Sequence, residues 1–139
     1  MTYPKWWDKT VTLYNRHEDN SGRVTWCRKI IKGCFVKTVP MLVLAQGVGV
    51  QKSQNIIRLR KTADYLSPIE WKTSIEKTKK FTLQNGDIVV IGTAYDDINE
   101  YSQEQRSADL LKKYGNNAFL ILSASVNDYG SKPHYKVTG

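Results

Sequence analysis

Residues 81–91 read FTLQNGDIVVI and carry the clearest local structural signal in the chain. Asn85 and Gly86 separate two short runs of strand-forming residues, and an Asn-Gly pair tolerates the positive φ angles of a type I′ turn. The pattern therefore predicts a β-hairpin. Every residue from Ile88 to Ile91 is apolar, which predicts a strand buried on both faces.

Alternation of polar and apolar residues predicts further strands on both sides of this segment. Between Thr10 and Tyr14, Val11 and Leu13 share one face, which is the period of a half-buried strand. Gly33 interrupts a second such stretch and predicts a bulge or a bend. The other predicted strands are residues 23–31, 34–36, 55–61, 118–126 and 133–137.

One α-helix is predicted, at about residues 103–114. Its stripe at helical spacing consists of Ser107, Leu110, Leu111 and Tyr114. Ser102 and Ser107 are alternative caps for its start, and Gly115 is suited to its C-terminal end. For the segment around Ser67 and Pro68, a short helix and a plain loop are both compatible with the sequence.

These elements together predict a mainly β fold: a small SH3-like or OB-like β-barrel with long loops and one packed helix. The 139 residues are enough for a single domain. We expect an N-terminal arm at residues 1–9. We expect a long loop or irregular arm at residues 39–54, because that stretch is rich in glycine and apolar residues but has no clean period.

The chain is basic, with a formal net charge of +8. The basic residues are scattered, so they are compatible either with solvated surfaces or with a nearby anionic partner such as nucleic acid. The longest apolar stretch is far shorter than the ~20 residues of a membrane helix. The first residues have no apolar core of the length found in signal peptides, which predicts synthesis in the cytoplasm.

No catalytic centre, metal site or cofactor is predicted from the residue types and their spacing. Cys27 and Cys34 are expected to be buried, reduced thiols, since a closed zinc site requires four converging ligands. The acidic cluster Asp96, Asp97 and Glu100 lies between a predicted strand and a predicted helix, where turn formation and the helix dipole favour carboxylates. A small enzyme using these acids is the weakest of the functional hypotheses.

Two apolar segments are candidates for contacts between subunits. Trp6 and Trp7 point to opposite sides of an extended chain, so one can pack on its own domain while the other meets a neighbour. If they were exposed on a monomer, Met41, Leu42 and Leu44 would form an apolar surface patch prone to association. The sequence therefore predicts subunit-interface roles for these five residues.

Several short segments, taken in order, resemble a family of small phage and prophage proteins encoded among head–tail joining genes. These segments are Trp7–Tyr14, Val24–Trp26, Gly33–Phe35, Ile57–Arg60, Gly86–Val90 with Gly92, Ser107–Tyr114 and Pro133–Gly139. Such proteins are similar to the head-closure, or stopper, subunits of long-tailed phages. They are small β-barrels that form a ring below the portal and its adaptor, and DNA passes through the ring.

The resemblance implies a structural protein of the virion neck, made in the cytoplasm of the bacterial host. It implies a homo-oligomeric ring, a hexamer or a dodecamer, whose partners are portal or adaptor proteins and tail-terminator or tail-tube proteins. It also implies candidates for contact with channel DNA or with acidic partners, namely Lys32, Lys37, Arg58 and Arg60.

An alternative is a cytoplasmic OB-like nucleic-acid-binding module. In that case the same basic strands would track the phosphates, and exposed aromatic rings would stack on the bases. The candidate stacking platforms are Trp26, Tyr14 and Phe35.

Overall fold

The structure is a computed structural model that describes residues 3–45, 47–75, 77, 79–128 and 130–139. Side chains at 41–46, 48 and 50–52 are outside the described part, although the backbone of most of these residues lies in strands. The strands are β1 Lys9–Glu18, β2 Val24–Ala45, β3 Val48–Arg60, β4 Ile88–Ile91, β5 Ala118–Leu120, β6 Ser123–Asn127 and β7 His134–Thr138. The α-helices are α1 Pro68–Thr73 and α2 Ser107–Tyr114.

The seven strands form one curled antiparallel sheet in the order β5-β4-β1-β2-β3-β7-β6. Its two terminal strands, β5 and β6, are almost consecutive in the chain, so the sheet curls back on itself. Between them, the Ile121 N–H donates to the Asp87 carbonyl at 2.8 Å and the Leu122 N–H donates to the Thr138 carbonyl at 2.9 Å. The predicted mainly β, barrel-like fold is confirmed.

Strand β2 is long because it changes partner part-way along its length. Its first half pairs with β1 up to Cys34, and its second half pairs with β3 from Phe35 onward. Gly33 lies at the change with φ +73°, and the register with β1 shifts there. The left-handed conformation favours glycine, so the predicted bend at Gly33 is confirmed.

Apolar side chains pack on both faces of the sheet. The inner cluster, enclosed by the curl, includes Leu13, Ile57 and Val89. The outer cluster lies under α2 and includes Tyr14 and Val90. Strands β1 and β4 contribute to both clusters, so β4 is buried on both faces as predicted, whereas β1 is more buried than its sequence period indicates.

The predicted hairpin at residues 81–91 is wrong, although its turn exists. Gly86 has φ +90°, and the Asp87 N–H donates to the Gln84 carbonyl at 3.2 Å. Phe81 makes only an isolated bridge, to Tyr65, while β4 pairs with β1 and β5. Phe81 and Leu83 pack in the inner cluster as side chains, while both edges of β4 are already paired with β1 and β5, so long-range pairing prevails over the local turn signal.

Residues 39–54, predicted as a loop, form the distal part of the β2–β3 hairpin. Pairing continues from Val39 with Gln54 to Ala45 with Val48, and Gly47 has φ +78° at the tip. We call this segment the hairpin arm. The absence of a clean period in its sequence has a physical reason: the arm extends beyond the two apolar clusters, so alternation is not imposed on it.

The helices differ from the prediction in their bounds and number. Helix α2 begins at Ser107, later than predicted, with Arg106 as its N-cap residue. Helix α1 confirms the short-helix alternative, since the Ser67 hydroxyl accepts a hydrogen bond from the Glu70 N–H. Neither α1 nor α2 is long and apolar enough to cross a membrane, and the same holds for every helix in the described residues.

Candidate functional site

A row of three basic side chains crosses strands β2, β3 and β7 on the outer face of the sheet. Strand β3 alternates, with Ile57 buried inward and Arg58 facing outward. Arg58 is paired with Lys136 of β7 on one side and with Phe35 of β2 on the other. Lys37 lies two residues beyond Phe35 and therefore shares its face. We call Lys37, Arg58 and Lys136 the basic face.

Within the described residues, the basic face has no acidic counterpart. The ion pairs within the described part of the chain all involve other cations. Like charges directly opposite each other across two strands are destabilising, and Arg58 and Lys136 are such a pair. On the next strand, Ser125 is paired with Lys136 and contributes a hydroxyl. This arrangement is suited to binding an anion.

The Arg58 guanidinium is held in place by aromatic packing. Its central carbon lies 5.3 Å from the centroid of the Phe35 ring. The Trp7 ring packs against Phe35, with centroids 6.2 Å apart, and meets His134 edge-on at 5.9 Å. Trp7 therefore supports the basic face from one end.

This packing corrects the interface prediction for Trp7, which is only 4% exposed within its own domain. Trp6 is 64% exposed, with the Lys132 ammonium 5.6 Å from its ring centroid, so an interface role for Trp6 stays a prediction. The predicted interface residues Met41, Leu42 and Leu44 lie in the hairpin arm, and their side chains fall outside the described residues.

Arg60 has an internal role, and its assignment as a DNA or partner contact stays a prediction. Its Nε donates to the Gly33 carbonyl at 2.9 Å, and a terminal nitrogen donates to the Trp7 carbonyl at 3.0 Å. Its guanidinium also lies over the Tyr3 ring. Arg60 thus fastens the predicted N-terminal arm to the sheet. Lys32 is exposed, but it lies in the half of β2 that pairs with β1 and so outside the basic face.

A buried carboxylate, Asp87, lies in the core beside β1. Asp87 is 1% exposed, and its two oxygens accept hydrogen bonds from the Arg16 N–H and from the Asn15 and Gln84 amides, at 2.7 to 3.1 Å. Asn15 in turn exchanges two hydrogen bonds with the Thr82 backbone. Burial raises the pKa of Asp87 to about 6, against the lowering effect of these donors. The network ties the 82–87 turn to β1.

A family model described as a family of unknown function, DUF6751, matches residues 6–139. The chain belongs to DUF6751. The match spans the N-terminal segment, the sheet, the hairpin arm and both helices. Among curated proteins and among solved structures, no match to the chain is found.

In this DUF6751 protein the predicted acidic cluster is engaged in local hydrogen bonds. Asp96 accepts from the Lys113 ammonium at 2.5 Å and from the Tyr114 hydroxyl at 2.6 Å, and these bonds lower its pKa. Glu100 accepts from the backbone and hydroxyl of Ser107 at the start of α2. Asp97 pairs with a guanidinium from β2. Within the described residues, no three potential metal ligands converge.

The candidate stacking aromatics of the alternative hypothesis differ in how accessible their rings are. Tyr14 is buried, and its hydroxyl donates to the Asp96 carbonyl at 2.7 Å. Phe35 is flanked by Arg58 and an indole ring. Trp26 is half-buried against the outer cluster. A base could not stack on Tyr14 without unfolding the region around it.

The two cysteines are free thiols. Cys27 is half-buried and Cys34 is fully buried beside the inner cluster. Burial raises the pKa of Cys34 to about 12 and raises that of Cys27 as well, so both remain protonated at neutral pH.

Sequence reasoning missed Lys136, which completes the basic face. The alternation of residues 134–138 places Lys136 on the outer face of β7, while Tyr135 and Val137 face inward. This much could be inferred from the sequence. Its pairing with Arg58, on a strand 78 positions earlier, requires the fold.

Proposed function

We propose that this protein is a structural subunit of the neck of a tailed phage: a head-closure or connector protein that forms a ring, with DNA passing through its channel. Its partners would be the portal or adaptor on one side and a tail-terminator or tail-tube protein on the other, in the virion. The series of short sequence segments that resembles phage neck proteins suggests the class of assembly. The hairpin arm supplies the structural argument.

The hairpin arm is the observation that carries the proposal. Seven residue pairs, from Val39 with Gln54 to Ala45 with Val48, extend past the last residues paired with β1 and with β7. At the ordinary strand rise, the arm reaches about 20 Å beyond that point. Among the described strands, nothing pairs with its outer edges.

Such an arm favours a partner for two physical reasons. An isolated two-stranded ribbon is at best marginally stable in water. Its two open edges also present unpaired N–H and C=O groups, which soluble proteins ordinarily protect. A neighbouring subunit that packs on the arm would satisfy both requirements, and a ring repeats that contact around its axis.

The remaining features of the chain are compatible with a scaffold. Two of the acids that offered the strongest enzymatic hypothesis, Asp96 and Glu100, are engaged in hydrogen bonds with Lys113, Tyr114 and Ser107. The +8 charge suits a protein that surrounds a polyanion.

The test is assembly with and without the arm. We would express the chain alone and together with the portal and adaptor proteins encoded near its gene, and examine the products by light scattering and negative-stain microscopy. In the arm-deleted variant, residues 40–53 are replaced by Asn-Gly, so that Val39 and Gln54 flank a two-residue turn in their existing register.

We expect the intact chain to form rings, alone or on the portal, and the arm-deleted variant to remain monomeric while it unfolds cooperatively. A matched control is Ile75→Ser, which removes a fully exposed apolar side chain elsewhere and should assemble normally. An intact chain that stays monomeric in every combination, or an arm-deleted chain that still forms rings, would contradict the proposal.

A further inference from the structure

We infer that the basic face, formed by Lys37, Arg58 and Lys136, binds the phosphate groups of double-stranded DNA. The inference rests on the proposed function and deepens it, because it names the surface of each subunit that would face the channel. It adds Lys136, and it leaves Arg60 and Lys32 out.

The spacing of the three cations follows from the strand register. Arg58 and Lys136 are direct cross-strand neighbours, which places their Cβ atoms about 5 Å apart. Lys37 is a diagonal neighbour of Arg58, at about 7 to 8 Å. The charges therefore run across three adjacent strands as one continuous row.

Hydroxyl groups flank this row on the same face. Ser125 is paired with Lys136, and Ser123 is paired with Thr138, two residues along β7. Lysine, arginine, serine and threonine are among the side chains that contact DNA phosphates. The combination of unpaired cations and small hydroxyls is that of a surface for backbone contact.

Two observations favour binding of an external anion by these charges. Some cations of the described residues have acidic partners, such as Lys113 with Asp96, whereas the basic face has none there and instead places two like charges, Arg58 and Lys136, directly opposite each other. Its central guanidinium is also positioned in advance by Phe35, so little side-chain entropy remains to be lost on binding.

An acidic protein surface is the main competing occupant, and the composition of the face disfavours it. Protein interfaces are depleted in lysine and serine, both present on this face, and most of their binding energy comes from tryptophan, tyrosine and arginine. The aromatic ring within the row, Phe35, is covered by Arg58 on one side and packed against Trp7. A face of charges and hydroxyls without an exposed anchor fits a phosphate backbone better.

The test compares two triple variants that each remove three positive charges. The face variant is Lys37→Gln, Arg58→Gln, Lys136→Gln. The control variant carries Lys72→Gln, Lys79→Gln, Lys112→Gln, at exposed lysines on other surfaces. Binding to a labelled mixed-sequence DNA duplex is measured by fluorescence anisotropy over a range of salt concentrations.

Each phosphate contact contributes about 0.9 to the slope of log K against log salt. The face variant should therefore flatten that slope by about 2.7 and weaken Kd at least about tenfold at low salt, whereas the control variant should keep the slope of the unmodified chain. Because the Arg58 guanidinium packs on Phe35, its removal affects packing as well as charge. A double variant with only Lys37→Gln and Lys136→Gln is therefore measured as well, with an expected flattening of about 1.8.

Equal slopes and affinities in the face and control variants would overturn the inference. So would a face variant that keeps its DNA affinity but fails to bind the portal or adaptor, since that result assigns the face to an acidic protein. Ring formation is recorded in parallel. If the chain forms rings but the face variant binds DNA as well as the control variant does, this inference alone is wrong. If the chain binds DNA through the face but never assembles, the proposed function alone is wrong.

Discussion

Replacing Asp87 by asparagine should change how the stability of the protein depends on pH. Asp87 is buried, and its pKa of about 6 in the folded chain lies above the ordinary value of 3.8. The folded state therefore binds the proton more tightly than the unfolded state, so this group makes the protein less stable as the pH rises from about 4 to 6. The asparagine side chain has no proton to release, so the variant lacks this component.

The magnitude follows from the two pKa values. Linkage between a folded pKa of about 6 and an unfolded pKa of 3.8 gives a stability advantage of roughly 2 kcal/mol at pH 4, about 1 kcal/mol at pH 5 and close to zero at pH 7. The free energy of unfolding of the unmodified chain minus that of Asp87→Asn should therefore increase by about 2 kcal/mol from pH 7 to pH 4.

At pH 7 we expect the variant to be less stable by about 1 to 3 kcal/mol, because its new amide would face the donors from Asn15 and Gln84. Urea denaturation at pH 4, 5 and 7, followed by tryptophan fluorescence, measures the differences. Taking the difference between two chains cancels other titrating groups, including His17, whose lowered pKa acts in the opposite direction.

Two results would refute this reasoning. A difference that does not vary with pH would mean that the pKa of Asp87 is the same in the folded and unfolded chains. A difference that decreases toward pH 4 would mean that the three donors outweigh burial and hold the pKa below 3.8. An NMR titration of the Asp87 carboxyl carbon would separate the two cases.

Three further substitutions test the packing. Gly33→Ala should lower the free energy of unfolding by about 1 to 2 kcal/mol, and the thermal midpoint with it, because φ is +73° and the new Cβ would lie 2.9 Å from the Arg60 side chain. An unchanged midpoint would contradict the strained bend. Trp7→Ala should cost about 3 to 5 kcal/mol in urea denaturation, and Trp6→Ala less than about 0.5 kcal/mol; equal costs would show that Trp7 is not docked. Tyr14→Phe should cost about 1 kcal/mol in the same assay, since it removes the hydrogen bond to the Asp96 carbonyl; a stabilised variant would argue against that bond.

The sequence predicts those elements whose residue pattern is set by a single local environment, such as burial on one face or on both. Val11 and Leu13 alternate because β1 lines the inner cluster, and Ile88 to Val90 are uniformly apolar because β4 is covered on both faces. The bend at Gly33 was predictable because few other residues adopt its conformation. In each case a local pattern records a single environment.

The sequence fails where the partner of a segment lies far along the chain. Asn85 and Gly86 form a turn, but which strand pairs with β4 depends on β1 and β5, which are distant in the sequence in either direction. The hairpin arm has no core to impose a period, so it resembles a loop. The basic face combines Lys37, Arg58 and Lys136 only after three strands come into register.

The change of partner in β2 connects the fold to the proposed function. Because Gly33 lets β2 leave β1, the second half of the strand and β3 continue outward as the hairpin arm, while the strand just beyond the bend carries Phe35 and Lys37. The same bend is held by Arg60, which also fastens Trp7 against Phe35. One local departure from regular sheet geometry therefore positions both surfaces, so damage to Gly33 should impair assembly through the arm and DNA binding through the basic face together, whereas substitutions within either surface should separate them.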